Sequence, residues 1–428
     1  MLMPPSLRAG VARVEITPSP GIDLTGYIAR QNPSTGVRDP LYARALALDD
    51  GQRQIALVSC DLLSLEREFV HDTRRRITLA TGIPGLQVML AATHTHAGPA
   101  TFFLQDCGDP DPAYVEELQA RIVALVRQAQ SALQPAMLAV GKGSSATGVH
   151  NRRTPGDVID PAVEVLRVDR ADGAPLAVVV NYACHPTALS ADNTLVSADY
   201  PGYVCAQVEA ATGAVCLFLT GAIGDVGPVA RGDAVLAQIG QAVAGETLRV
   251  LPVCMPLDGT PLDTEGEILA LPLADLPSRE QLLRLRAGYR QQALEAEGRR
   301  EPLQARIARA LAGWTERILD MHKDRTLHAT VPAEIHTLHV GKLTIVGVPG
   351  ELFVELGLQI KVAAPAAPVM VVGFANDSIG YIPARRAYPQ GGYEIDDAYK
   401  YYGYPAVLAP EAGEMIVASA ARLVQDKI

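Results

Sequence analysis

The chain is predicted to fold as an α/β protein, a layered mixed β-sheet core flanked by helices and carrying an inserted helical hairpin. Three observations lead there. Strand-length apolar runs alternate with helix-length amphipathic segments through the first half. Two apolar runs, 163–168 and 176–181, flank a turn containing Asp172-Gly173, which puts an antiparallel pair into the sheet. At Ser278 the composition shifts to Arg, Gln, Glu, Leu and Ala before the alternation resumes near 333.

In order, strands are expected over 54–59 and 86–92 around a helix at 66–80, followed by a helix at 114–133. Further strands fall at 137–141, 163–168, 176–181 and 215–219, with helices at 201–211 and 234–248. Ser278 and Gln281 have the spacing of a reciprocal capping pair ahead of Leu282-Leu283, and Gly298 to Pro302 reads as a helix stop followed by a helix start. The hairpin, an insertion at about 275–325, is read as a structural antiparallel pair, with a lid or a dimer surface as the alternatives. Strands at 333–340, 343–348 and 369–374 and helices at 351–362 and 411–423 complete the pattern. Residues 1–428 read as one catalytic domain without internal repeats.

With 428 residues, 48% of them hydrophobic, the chain can bury a large core. Its 37 basic and 47 acidic residues give a net charge of −10 with no basic stripe, which argues against nucleic acid as a partner. Residues 1–8 have neither a charged leader nor an apolar core, and no run is long enough to cross a bilayer, so a cytoplasmic location is expected. Six scattered cysteines, several in apolar runs, read as core residues rather than as a disulfide framework or zinc ligands.

The chemistry gathers at strand ends. Thr93-His94-Thr95-His96-Ala97-Gly98-Pro99 follows one apolar run, and residues two apart on an extended chain face one side, so one imidazole can hold a metal while the other faces substrate. His185, in Asn181-Tyr182-Ala183-Cys184-His185-Pro186-Thr187, is placed alike. Asp199 and Asp225 lie in loops flanking apolar elements, and Glu351 follows Pro349-Gly350 where a strand gives way to a helix. A hydrolytic zinc site takes about three protein ligands mixing His with a carboxylate; His94, His185 and Glu351 fit. Hydrogen-bonded loop histidines and a helix-favouring Glu351 are the plain alternatives. His71, His322, His328, His336 and His339 receive no role. The stretch 106–111 lacks the spacing of a calcium loop, and no H-E-x-x-H, G-x-S-x-G, Walker or dinucleotide pattern occurs.

These segments, with Gly224-Asp225 and Asn376-Asp377-Ser378-Ile379-Gly380-Tyr381-Ile382, occur in an order that resembles the neutral/alkaline ceramidase family over about 10–394. The resemblance implies one Zn²⁺ held by His94, His185, Glu351 and Tyr381, a second divalent ion being left open. It implies a cleft lined by His96, Arg152 and Tyr393, which would grip the substrate or its developing oxyanion. Asp199 and Asp225 are candidates for orienting the metal-bound imidazoles. The implied reaction is hydrolysis of the amide of a small N-acyl substrate, ceramide-like or other, by metal-activated water; a zinc-dependent esterase or lactonase on the same site and a non-catalytic metal- or ligand-binding relative are the rivals.

Three departures bear on substrate. In the family's G-D-x-S-P-N element the serine is here Gly227, without a hydroxyl to offer substrate or water. A C-terminal β-sandwich domain is expected to be lacking. The segment after the tyrosine reads Pro383-Ala384-Arg385-Arg386 where relatives tend to be acidic, so Arg385 and Arg386 are expected to favour an anionic substrate. Homo-oligomerisation is left open.

Overall fold

The computed structural model describes residues 7–257, 261–363, 365 and 367–425. Residues 1–6, part of the segment read above for a leader, lie outside that set. Two β-sheets pack face to face, and helices cover both outer faces.

Among the described residues the larger sheet has nine strands. Its main strands are β1 (Arg8–Glu15), β2 (Tyr42–Asp49), β3 (Gln54–Cys60), β4 (Val88–Ala92), β5 (Gln134–Ser144), β6 (Ala162–Arg170), β7 (Pro175–Tyr182) and β8 (Val215–Thr220). They lie in the order β8-β7-β6-β5-β1-β2-β3-β4, with Met255–Pro256 beside β5. The β6–β7 hairpin is the antiparallel pair expected from Asp172-Gly173, and Gly173 takes the positive φ of 87° that the turn requires. The β3–β4 and β7–β8 pairs run parallel. Such strands are covered on both faces, which is why β7 and β8 read as continuous apolar runs.

The pairing of β1 with β5 is two residues long, Arg8 with Pro135 and Ala9 with Gln134. The sheet therefore opens into two halves, and β8 of one half comes against the other: Ser59 Oγ of β3 donates to the Phe218 carbonyl at 2.6 Å. At the strand ends, Thr220 Oγ1 of β8 donates to the carbonyl of Thr93, just past β4, at 2.7 Å. This contact ties the ends of β4 and β8 together and, since Thr220 pairs with Tyr182, brings the end of β7 alongside.

The smaller sheet, β9 (Leu262–Pro272), β10 (Thr330–Val340), β11 (Leu343–Gly347) and β12 (Val369–Val372), is ordered as numbered, its last pair parallel. Leu46, Leu57, Met89, Leu166 and Val179 of the first sheet meet Leu338, Ile345 and Met370 of the second in one buried layer. Asn181 Nδ2 spans the layers, donating to the carbonyls of Leu219 (3.0 Å) and Val371 (2.9 Å).

Helices α1 (Arg67–Thr81) and α2 (Pro112–Ser131) cover β1–β4, and α3 (Asp199–Thr212) and α4 (Asp233–Val250) cover β6–β8. The hairpin is α5 (Arg279–Gly298) and α6 (Pro302–Asp324); Ser278 and Gln281 form the reciprocal cap expected of them. Its Trp314 packs on Leu282 and Ile318 and donates to the Tyr404 carbonyl at 2.8 Å. Helices α7 (Val354–Val362) and α8 (Ala412–Gln425) cover the smaller sheet. Strands β1, β2 and β9 lie where the apolar pattern gave no separate expectation. Glu351 does not start a helix but forms a two-residue parallel ladder with Tyr381–Ile382, and α7 begins at Val354.

Candidate metal centre

The three histidines and Glu351 leave the C-terminal ends of buried strands. His94 and His96 follow β4, His185 follows β7, Glu351 follows β11, and Tyr381 lies beyond β12. His94 sits at φ 69°, a conformation disfavoured for a residue with a Cβ; its N–H bonds the Leu62 carbonyl (2.8 Å) and its ring stacks on Phe374, centroids 3.8 Å apart. The ladder makes Glu351 and Tyr381 register partners. A second short ladder pairs Val226–Pro228 with Val149–Asn151, and the Arg152 N–H continues it to the Asp225 carbonyl at 2.8 Å.

Hydrogen bonds determine which imidazole nitrogens are protonated. Nδ1 of His94 donates to the Leu63 carbonyl (2.7 Å), Nδ1 of His96 to the Gly26 carbonyl (3.0 Å) and Nδ1 of His185 to the Ile223 carbonyl (3.2 Å). A carbonyl only accepts, so each proton sits on Nδ1 and each Nε2 carries a lone pair. Burial lowers the pKa of His94 to about 3 and those of His96 and His185 well below the usual value, so the rings stay neutral. Yet His94 Nε2 lies 3.1 Å from His185 Nε2 and 3.2 Å from His96 Nε2. Glu351 Oε2 joins them, 3.4 Å from His185 Nε2 and 3.7 Å from His94 Nε2, and among the described residues it has no hydrogen-bond partner. Electron-pair donors facing one another without a proton between them repel. A divalent cation resolves that repulsion, and the donor set is one zinc accepts, so the residues present fit a metal ion.

The other Glu351 oxygen accepts from Tyr402 Oη at 2.6 Å, and burial raises this carboxyl to about 7 against the opposing pull of Tyr402 and Arg152. Arg152 Nη2 donates to the Tyr381 hydroxyl and to the Gly224 carbonyl, both at 2.8 Å, and lies 3.1 Å from Glu394. Burial holds the Tyr381 phenol well above its usual pKa, with Arg152 acting against it. These groups line a pocket of about 320 Å³ whose apolar wall includes Ile28, Leu63, Leu104 and Tyr401. Tyr393, 50% exposed, stands at its rim with its ring edge-on to Tyr381, centroids 5.9 Å apart.

The structure thus brings together His94, His96, His185, Glu351, Tyr381, Arg152 and Tyr393. His96, expected to line the cleft, has its Nε2 as close to His94 as His185 does. Asp199 and Asp225 do not hold the imidazoles, because main-chain carbonyls occupy all three Nδ1 atoms. Asp199 instead accepts from the N–H groups of Leu189 and Tyr200. Asp225 accepts from Val354 N–H (2.8 Å) and Asn151 Nδ2 (2.9 Å), tying the Arg152 segment to the start of α7. Arg385 and Arg386 are not in the pocket; both are exposed, the first paired with Glu414 and the second with Glu355 and Asp157. The charge expected of them at the cleft is spent on the surface. Gly227 lies beside the site, where a Cβ would meet His185 Cβ at 3.7 Å and Arg152 Cδ at 3.9 Å.

Tyr402, Tyr27, Arg231 and Phe374 were not singled out from sequence. Tyr402 lies in the aromatic-rich run 399–404, where nothing distinguishes a carboxylate donor from a packing ring.

Residues 7–255 match the family described as neutral/alkaline non-lysosomal ceramidase, N-terminal. The chain is similar to the neutral ceramidase of Pseudomonas aeruginosa, 24% identical over 90% of this chain and 68% of that protein. It is also similar to that of Mycobacterium tuberculosis, 22% identical over 87% of this chain and 70% of that protein. The crystal structure of the Pseudomonas aeruginosa neutral ceramidase superposes with a TM-score of 0.75 at 20% identity, covering 98% of this chain and 75% of that one. A structure described as ceramidase complexed with C2 gives 0.76 at 19% identity, covering 98% and 76%.

Proposed function

Since the chain belongs to the neutral/alkaline non-lysosomal ceramidase family, we propose that it is a zinc-dependent hydrolase cleaving the carbon–nitrogen bond of an N-acyl amide. The observation that carries this reading is the convergence, in a buried pocket, of three Nε2 lone pairs and a carboxylate oxygen that has no hydrogen-bond partner among the described residues. His94, His185 and Glu351 would hold the ion, with Tyr381 and His96 beside them. A bound zinc ion supplies Lewis acidity and makes a nucleophile of water near neutral pH.

The chain's own groups do the rest. Arg152, pinned by the Gly224 carbonyl and Glu394, presents a fixed positive charge to the oxygen that becomes negative as the carbonyl is attacked. One such preorganised donor is worth roughly 3 kcal/mol. His96, its Nδ1 proton committed to Gly26, has only Nε2 free to take up and return a proton, and burial makes it a ready donor to a departing amine. The apolar wall of Ile28, Leu63 and Leu104 excludes water around the acyl group.

The test is a panel of N-acyl amines, ceramide included, with matched esters, assayed on chelated and zinc-loaded protein and on His94→Ala. Hydrolysis of amides that requires zinc and falls at least about 100-fold in His94→Ala is expected. Turnover confined to esters would make the site an esterase, and a zinc-loaded protein inert to the whole panel would make it a non-catalytic metal site.

A further inference from the structure

One wall of the pocket is not used by this chemistry. The Tyr27 ring faces the His96 imidazole, centroids 4.8 Å apart, and two guanidinium carbons lie over that same ring, Arg30 at 5.1 Å and Arg231 at 5.3 Å. Arg231 Nη1 donates to the Tyr27 hydroxyl at 2.7 Å, which itself donates to the Leu189 carbonyl at 2.8 Å. Arg231 lines the pocket together with His94, His185 and Glu351, is exposed, and makes no ion pair among the described residues.

Arg30 lies behind it, 5% exposed. It donates to the carbonyls of Thr25 (3.1 Å) and Asn193 (2.9 Å), has no carboxylate partner among the described residues, and its Nη2 has no hydrogen-bond partner among them. Burial lowers its pKa to about 10, which still leaves it charged at neutral pH. Nearby acids are committed elsewhere. Asp199, whose charge reaches the Tyr27 hydroxyl, spends its oxygens on two main-chain N–H groups, and Glu394 is engaged by Arg152 and Arg153. In a chain of net charge −10, Arg231 at the pocket wall and Arg30 buried behind Tyr27 stand without a paired carboxylate among the described residues. The buried charge of Arg30 is costly when uncompensated, and an anion seated on Arg231 beside the Tyr27 ring that both guanidiniums flank would offset part of that cost.

We infer that the pocket selects an N-acyl compound with a negatively charged head group, a carboxylate or a phosphate, seated on Arg231 beside Tyr27. The scissile amide in this statement rests on the hydrolase reading above; the charge preference does not. A guanidinium offers paired donors that match an oxyanion, which a neutral hydroxyl head group cannot engage as strongly.

The test measures binding and turnover separately. Metal-stripped protein, which should not turn over, is titrated calorimetrically with three dodecanoyl amides, of glycine, of phosphoethanolamine and of ethanolamine. One or both anionic amides should bind at least about tenfold tighter than the ethanolamide, and which of them does identifies carboxylate or phosphate. The affinity ratio should fall toward one in Arg231→Gln, recover in part in Arg231→Lys, and shrink as salt rises. Denaturant midpoints of the variants confirm that the exposed substitution leaves the fold intact. Equal binding of all three amides, or a ratio unmoved in Arg231→Gln, overturns the inference. Zinc-loaded protein is then assayed on the same compounds. A charge preference without turnover removes the hydrolase reading and keeps the anion site, whereas turnover without preference does the reverse.

Discussion

Replacing Tyr402 with Phe removes a single oxygen while leaving the ring on Phe102, centroids 6.5 Å apart. That oxygen donates to Glu351 Oε1 at 2.6 Å, and Glu351 is 2% exposed. A hydrogen bond to a charged acceptor contributes about 1.5–3 kcal/mol. Losing the partner that orients a ligating group costs about 10–100-fold in metal affinity. At about 1.4 kcal/mol per tenfold, the two ranges nearly coincide. The zinc dissociation constant of Tyr402→Phe should therefore rise about 10–100-fold, read by competition with a chromogenic chelator near neutral pH, with denaturant unfolding to establish that the variant folds. An affinity within about twofold of the parent protein would mean that Glu351 is not a ligand held by Tyr402, and the ligand set drawn above would have to be abandoned.

Gly227→Ser should fold with a stability change within about 0.5 kcal/mol, since its Cβ finds only ordinary contacts, whereas Gly224→Ala puts a Cβ 2.4 Å from the Glu351 carbonyl and should lose well over 1 kcal/mol and weaken zinc binding; equal unfolding midpoints for the two would refute this. Arg44→Leu should cost about 3–5 kcal/mol in denaturant unfolding, because Arg44 and Asp61 form a fully buried pair at 2.9 Å and the remaining carboxylate would be stranded; a cost under about 1 kcal/mol would show that Asp61 finds another partner. Asp377 is raised from 3.8 to about 6, chiefly by burial, so the folded state binds its proton more tightly than the unfolded state does. Its contribution is complete below about pH 4 and is lost as pH rises through about 6. Asp377→Asn keeps Oδ1 for the N–H groups of Arg67 and Ser378 but carries no charge, so from about pH 4 to 7 it should gain on the order of 2 kcal/mol relative to the parent. Parallel stability curves for the two proteins across that interval would disprove the assignment.

What the sequence made legible follows physical lines. His94, His185 and Glu351 stand out because ionisable groups placed just past buried strands are costly unless they serve chemistry, and the layered α/β class follows from run lengths and turns alone. That the strands form two sheets was not legible, because an apolar run records that it is buried, not which layer buries it. The Ala-rich strand Tyr42–Asp49 shows this: seven of its eight residues are buried, with little alternation to mark it. The agents that orient the imidazoles were hidden for a different reason. Asp199 and Asp225 looked suited to the task by residue type, but the carbonyls of Leu63, Gly26 and Ile223 perform it, and every residue has a carbonyl. Arg385 and Arg386 misled in the opposite direction, their charges conspicuous in sequence and cancelled on the surface by Glu414, Glu355 and Asp157.

The two-residue junction between β1 and β5 has a consequence for assembly. His94 and His96 belong to one half of the larger sheet, His185 to the other, and Glu351 to the second sheet, so no single block of the molecule owns enough donors to capture an ion. An ion held by these donors would bridge all three blocks at once and act as a rivet through them. Protection from hydrogen exchange at the tips of β4, β7 and β11 should rise together on loading, making the ion a reporter of completed folding as well as a reagent.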